Sequence, residues 1–404
     1  MESLRSAAIG ANDFVIGVND LFRPYDATMP RVIRAAALAF LATITATPTL
    51  RAQTMDAGPI ELKLSGRVQS QFNTTSVDED EIGDPLAWST FEMRRVRLSV
   101  EATVEDWLTG KLESDFALGD LDLKDAWINF GFDDAFQVRF GQFKKPFSRI
   151  ELISSTQILP IERGLRIRGL DDLLGSAFED GRRIFPDFDG RIVPGEEYDL
   201  LNELLYLGRE MGVMVHGGLG ERVGYALGVF NGSGADERDR NDGKSVAGRL
   251  TFTPTGQLSI GAGASYREAR IDDGLGGKDE VGGMAFELDA EWGAFRQPGL
   301  HVVAEGAVGD HIGLDETFLA AQGWLAYFHP LGGGRVEGIE PLVRLSFGDP
   351  DLGRGGDGGV LLTPGVNVYF FGRNRFMLNW DVFFPAFDEI GTENALRAQA
   401  QFYF

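Results

Sequence analysis

From Ile60 onward the chain alternates apolar and polar side chains with a period of two. In the run 60–72, Ile60, Leu62, Leu64, Gly66, Val68 and Phe72 share one parity; Glu61, Lys63, Ser65, Arg67, Gln69 and Gln71 share the other. That period belongs to a β-strand with unlike surroundings on its two faces. It recurs at 91–104, 107–117, 121–132, 135–145, 209–217, 222–231, 244–253, 256–267, 280–293, 299–309, 316–328, 337–348, 359–371, 374–384 and 393–404. With the first run this predicts about sixteen strands, many longer than the ~5–6 residues usual in globular sheets. The last run alternates as far as Phe404, so it needs a neighbour along its whole length, and the first strand is the expected one.

The connectors alternate as well. Short turns at 105–106, 131–135, 253–256 and 372–374 interleave with longer polar segments at 73–87, 231–244, 268–280, 349–359 and 385–393. The exceptions are 118–120, short on the long side, and 329–338, long on the short side. Long two-faced strands with short turns on one side and long loops on the other predict an all-β, antiparallel, up-and-down transmembrane barrel. The soluble alternative is a large β-solenoid or propeller; a propeller would need a repeat of ~40 residues and a blade motif, neither is found, and the strands here are longer than blade strands. The one break in the rhythm is 143–207, after the fifth strand. There Pro146 ends the strand, and Lys144, Lys145, Arg149, Arg163, Arg166 and Arg168 lie close in sequence to Glu151, Glu162, Asp171 and Asp172. A loop this long is usually functional, and it is expected to fold into the lumen. The competing reading is a solvated surface loop with short helices at 170–178 and 198–210.

Ahead of the barrel, 29–52 reads as a secretory signal peptide: Arg31 and Arg34 precede an apolar run that gives way to small and polar residues by Ala52. Residues 1–28 are then an upstream extension, and 53–404 the barrel.

Composition changes the picture in three ways. The chain is 43% hydrophobic with a mean hydropathy of only -0.10, as expected when lipid-facing and lumen-facing residues average out, and beyond the N-terminal region nothing approaches the ~18–20 apolar residues of a spanning helix. There is no cysteine, and His216, His301, His311 and His329 are scattered, so no thiolate chemistry, metal or cofactor is expected. The acidic runs 78–84 and 239–244 lack EF-hand spacing, and the glycine loop 274–283 lacks the strand, lysine and helix of a phosphate cradle. The net charge of -23 argues against a nucleic-acid partner.

Inward parity is charged in several strands, with Lys111, Glu113, Asp115, Glu287, Asp289, Glu291, Arg344 and Arg397, while the outward parity carries residues such as Val96, Leu98, Phe140, Leu288 and Phe376. Tyr225, Trp292, Trp380, Phe402 and Phe404 are expected near strand ends, at the membrane interfaces. No serine or aspartate is legibly paired with histidine, so a passive channel is expected and not an enzyme.

The chain also resembles the phosphate-selective porins O and P, through 91–116 ("FEMRRVRLSVEATVEDWLTGKLESDF"), 123–132, 138–155 ("VRFGQFKKPFSRIELISS"), 160–164, 208–217, 225–234, 248–254 and the terminal Phe404. The resemblance implies a sixteen-stranded homotrimer in the outer membrane of a Gram-negative bacterium, with a loop lining the pore and a basic neck that selects anions such as phosphate. Between Glu162 and Gly208 the chain departs by a long insertion. Basic residues at matching positions are Arg94, Arg95, Arg97, Arg139, Lys144 and Lys145. Parity turns Arg95, Arg97 and Arg139 inward and adds Arg67, Arg249, Arg344 and Arg397 to the wall. Glu101, Glu113, Asp115 and Asp125 on neighbouring strands are candidate partners for those bases, which leaves general diffusion of small polar solutes as the weaker form of the same function. The reading from another class is a structural or adhesive surface protein whose barrel is plugged by 143–207.

Overall fold

The computed structural model describes residues 53–56, 60–77, 86–119, 121–163, 206–235, 243–272, 278–312, 316–353, 358–386 and 392–404. The expected upstream extension, the signal peptide and residues 164–205 of the long loop, with Arg166, Arg168, Asp171 and Asp172, lie outside the described residues.

The strands are β1 (Gln53–Asp56), β2 (Ile60–Val77), β3 (Leu86–Val104), β4 (Leu108–Asp115), β5 (Asp122–Asp133), β6 (Phe136–Lys144), β7 (Arg209–Leu219), β8 (Val223–Phe230) and β9 (Ser245–Thr255). They continue as β10 (Leu258–Asp272), β11 (Lys278–Trp292), β12 (Gly299–His311), β13 (Glu316–Pro330), β14 (Gly338–Asp349), β15 (Gly359–Tyr369), β16 (Arg375–Pro385) and β17 (Glu393–Tyr403). Each from β2 to β16 pairs antiparallel with the next, and β17 returns to β2, so sixteen strands close a barrel. The closing seam runs from Glu393 opposite Val77 to Tyr403 opposite Arg67. Phe404 and Gly66 then exchange two backbone hydrogen bonds of 2.9 and 3.1 Å. Just beyond, β1 takes up the next stretch of the same β2 edge, from Leu64 to Glu61.

Parity sets what each face meets. In β14, Arg344 is 1% exposed on the inside while its neighbour Leu345 is 57% exposed on the outside. Leu112, Ile128, Phe140, Leu250 and Leu288 are likewise open on the outer wall, where lipid and not water is the solvent. At the short-turn end, rings of Trp107, Phe130, Phe132 and Phe136 follow one another at centroid spacings of 5.8 to 6.5 Å, and Phe402 lies 5.9 Å from Phe404. Trp380, expected near a strand end, instead falls in the middle of β16, opposite Leu396.

Two local irregularities shape the inner wall. Between β2 and β3 the register jumps from Gln69 opposite Arg95 to Ser70 opposite Met93, so Arg94 is the extra residue of a bulge. In β6, Gly141 sits at φ 125° opposite Trp127, and a Cβ there would run into the backbone of Ala126 and Trp127. Only glycine accepts both conditions. We therefore expect Gly141→Ala to lower unfolding stability by ~2 kcal/mol or more. Gly256→Ala, in a turn with open space around it, should stay within ~0.5 kcal/mol. Urea unfolding in detergent or lipid, followed by tryptophan fluorescence, measures both; equal midpoints would contradict the assignment.

Candidate functional site: a divided lumen

Residues 145–163 leave β6 and lie against the inner wall. Pro146 lacks the N–H that would continue the ladder, and Lys145 donates its N–H to Gly208 at 2.9 Å as the last rung. Phe147 then packs with Tyr206, Leu207, Ala285, Ala307, Ile312 and Phe318. A single helical turn follows, Arg149–Leu152, capped by Ser148, whose hydroxyl accepts from the Glu151 N–H at 3.1 Å. The same hydroxyl donates to Glu305 at 2.6 Å, and the Ile150 N–H reaches the other Glu305 oxygen at 2.9 Å. Ile150 and Leu159 fill a second apolar cluster with Val303, Trp324, Ala326 and Leu342.

Beyond that turn the backbone is held by wall side chains. Gln69 and Gln401 donate to the carbonyls of Ser155 and Thr156, each at 3.1 Å, and Arg375 to that of Ile158 at 2.6 Å. Asn367 donates to the Leu159 carbonyl at 3.1 Å, Asn379 accepts from the Ile161 N–H at 2.6 Å, and Arg344 donates to the Glu162 carbonyl at 2.8 Å. Glu162 ends the path between Arg94 and Arg95, at 2.9 Å from each, and also accepts from Gln71 at 2.9 Å. Burial alone raises a carboxyl's pKa, but Lys144 and Arg163 outweigh it at Glu151 and hold that group well below the usual carboxylate range. It stays ionised, and its ties stay charged, through ordinary acidification.

The nine expected site residues thus divide by place. Arg95, Arg344 and Arg397 are at most 2% exposed behind the segment; Arg344 and Arg397 share Asp381 at 3.0 and 2.6 Å. Lys145 is equally buried and pairs with Glu210 at 3.1 Å. Arg67 bonds Ser155 at 2.7 Å and Glu113 at 2.8 Å. Arg97 pairs with Asp115 at 2.6 Å in a network where Lys111 and Arg209 each hold Asp125 at 2.7 Å. Lys144 pairs with Glu151 at 2.9 Å, and Arg249 is bound to Glu287 and Asp289. Arg139 differs. It forms no ion pair with any described residue; its guanidinium lies 4.2 Å from the Trp127 ring centroid and 5.7 Å from that of Phe143.

The segment bonds mainly to β2, β3 and the far wall from β11 to β17, which leaves space beside β4 to β9. There a cavity of about 540 Å³ is bounded by Lys111, Asp125, Trp127, Arg139, Lys144, Met214 and Arg249, with Leu152 of the segment facing them. Among the described residues no group of three or more His, Asp or Glu is placed to hold a metal. His216 bonds Asn129 at 2.7 Å and His301 bonds Glu291 at 2.9 Å.

Arg94, Arg149 and an inner apolar cluster are among the contributors that sequence reasoning did not place in the site. Arg94 has outward parity, and only the bulge turns it toward Glu162; nothing in the local sequence marks the bulge. Arg149, bound to Asp289, Glu291 and Ser259, was visible only as one base in a mixed loop. The inner apolar patch of Trp127, Phe143, Met214, Phe230 and Ala247 was signalled by parity, since Trp127 shares the parity of Asp125 and Asn129.

Known proteins give a consistent frame. The family model for phosphate-selective porin O and P matches residues 62–289, more than half of the chain. A stretch of 250 residues, 54% of this chain, is 26% identical to an uncharacterized protein of Aquifex aeolicus (strain VF5). The match spans about half the length of that relative, 51%. Among solved structures, the outer membrane channel DcaP of Acinetobacter baumannii is similar at a TM-score of 0.55, with 12% identity over 87% of this chain and 100% of that one. Salmonella typhi OmpF, in complex with daunomycin, gives 0.52, with 12% identity over 87% and 100%. Pseudomonas putida OprB at high pH gives 0.51, with 12% identity over 84% and 94%. At such identities these three share the fold.

The seat of the segment is open to test. Removing the Glu162 charge leaves Arg94 and Arg95 short of a buried partner, a loss of ~3 kcal/mol or more. In a chain without cysteine, Leu159→Cys is a buried reporter, because Leu159 is 0% exposed. Maleimide should label it slowly in the otherwise native barrel and at least tenfold faster with Glu162→Gln added. Equal rates would show that the carboxylate does not hold the segment.

Proposed function

Because the chain belongs to the phosphate-selective porin O and P family, we propose that it is an outer-membrane channel that passes small polar solutes by diffusion and prefers anions, phosphate among them. The single observation that carries the preference is the sign of the charge around the open cavity: Lys111, Arg139, Lys144 and Arg249 face it together with one acid, Asp125. Fixed charges at a constriction act over ~8–10 Å in physiological salt, so the acidic total of the chain is screened and local sign decides. Arg139 contributes most, since the other three cations are already neutralised in part by their carboxylates. Arg67, Arg95 and Arg344 serve the same function indirectly, by bonding to the segment that narrows the lumen, and Lys145 by fixing its start to Glu210; Arg97 and Arg397 hold the wall carboxylates Asp115 and Asp381.

The channel reading entails diffusion without catalysis, which fits the committed, hydrogen-bonded state of His216 and His301. On this reading the signal peptide at 29–52 exports the chain, and family membership supports insertion in the outer membrane of a Gram-negative bacterium and assembly as a homotrimer; outer-membrane lipid is then the partner of the exposed apolar wall.

Reversal potentials in planar bilayers test this, in a chloride gradient and again with phosphate. The native channel should be anion-selective in both. Arg139→Glu should lower the anion-to-cation permeability ratio by about threefold or more. A cation-selective native pore would overturn the anion preference, and a barrel with no steady open current would make residues 143–207 a plug and the protein a surface anchor.

A further inference from the structure

The wall beside Arg139 is built for more than charge. On strands β5 to β9, Trp127 packs against a buried cluster of inward parity, Phe143, Met214, Phe230 and Ala247, although the lumen of a barrel is ordinarily polar; of these, Trp127, Phe143 and Met214 border the cavity. Leu152, 38% exposed, and Pro146 face the same cavity from the segment. An inorganic oxyanion gains nothing from such surface, because it keeps its hydration unless several free donors replace it.

Free donors are scarce here. Lys111 lies 2.7 Å from Asp125 and 3.4 Å from Glu113, Lys144 is 2.9 Å from Glu151, and Arg249 is bound to Glu287 and Asp289. Arg139 alone among the arginines and lysines around the cavity has no carboxylate partner among the described residues, and its Nε has no hydrogen-bond partner. One face of its guanidinium is covered by the Trp127 ring at 4.2 Å. The site therefore offers one uncommitted, bidentate cation beside an apolar and aromatic surface.

We infer that the preferred solute of this cavity is an aromatic monocarboxylate, its carboxylate paired with Arg139 and its ring against Trp127 and Leu152. The match is chemical at both ends. A guanidinium fork receives a carboxylate through two parallel N–H donors, and a ring buries apolar area while it meets other rings edge-on or offset. A hydrated phosphate uses the first feature and wastes the second; a neutral aromatic uses the second and leaves Arg139 unpaired. This specificity rests on the channel reading above and refines its substrate class.

Block of ion current in planar bilayers separates the two levels. Benzoate, acetate, inorganic phosphate and benzyl alcohol are added to the native channel in chloride, and the concentration for half-block is read for each. Benzoate should block at about tenfold lower concentration than acetate or phosphate, with benzyl alcohol weaker still. Arg139→Gln should remove the advantage of benzoate over benzyl alcohol, and Trp127→Leu the advantage of benzoate over acetate, so charge and ring are read separately. A conducting channel on which phosphate blocks as well as benzoate, or on which neither substitution changes the order, overturns the inference and leaves the anion channel standing. A protein that passes no current overturns both.

Discussion

Everything in this molecule follows from one constraint: no water is available in the hydrocarbon of a bilayer to satisfy a backbone N–H or C=O, and each left unpaired costs several kcal/mol. A chain whose apolar residues recur with a period of two cannot meet that demand as helices, so it must close a sheet. The seam between β17 and β2, from Val77 to Arg67, and the two bonds between Phe404 and Gly66 remove the last free edge. Phe404 is held there by its backbone, which extends the ladder.

Closure then dictates the interior. With lipid outside, the polar parity of all sixteen strands is gathered into one narrow lumen, where charges are costly unless paired. The wall meets part of this cost itself, as in the network of Arg67, Arg97, Lys111 and Arg209 with Glu113, Asp115 and Asp125. Residues 145–163 meet another part. Their backbone carbonyls accept from Gln69, Asn367, Arg375 and Gln401, and their carboxylates and hydroxyls meet wall arginines. Because that segment covers one side of the lumen and not the other, it creates an asymmetric path.

Strand number and the position of the long loop were legible in the sequence, because each depends on a period or on turn length, and both are local properties; strand limits were not, since β2 runs on to Val77 and β10 to Asp272, through polar residues read as connectors. The inward direction of Arg67, Arg95, Arg97, Arg139, Arg249, Arg344 and Arg397 followed from the same parity. What parity does not encode is pairing across the lumen. Arg344 and Arg139 have equal standing in the sequence, yet one is bound to Asp381 and the Glu162 carbonyl while the other rests on Trp127. Arg94 defied parity outright, since a bulge is a property of two strands in register and not of either alone.

The central claim is that the segment covers the wall from β11 to β17 with β2 and β3, and leaves that of β4 to β9 open. Single cysteines read this directly, since the native chain has none. Gln137→Cys and Thr251→Cys border the cavity, whereas Gln71→Cys, Asn367→Cys and Asn379→Cys replace side chains bonded to the segment. With a sulfonate-bearing methanethiosulfonate applied during current recording, the account predicts a stepwise fall in conductance at the first two positions and none at the other three. Reaction at all five with comparable rates would contradict it.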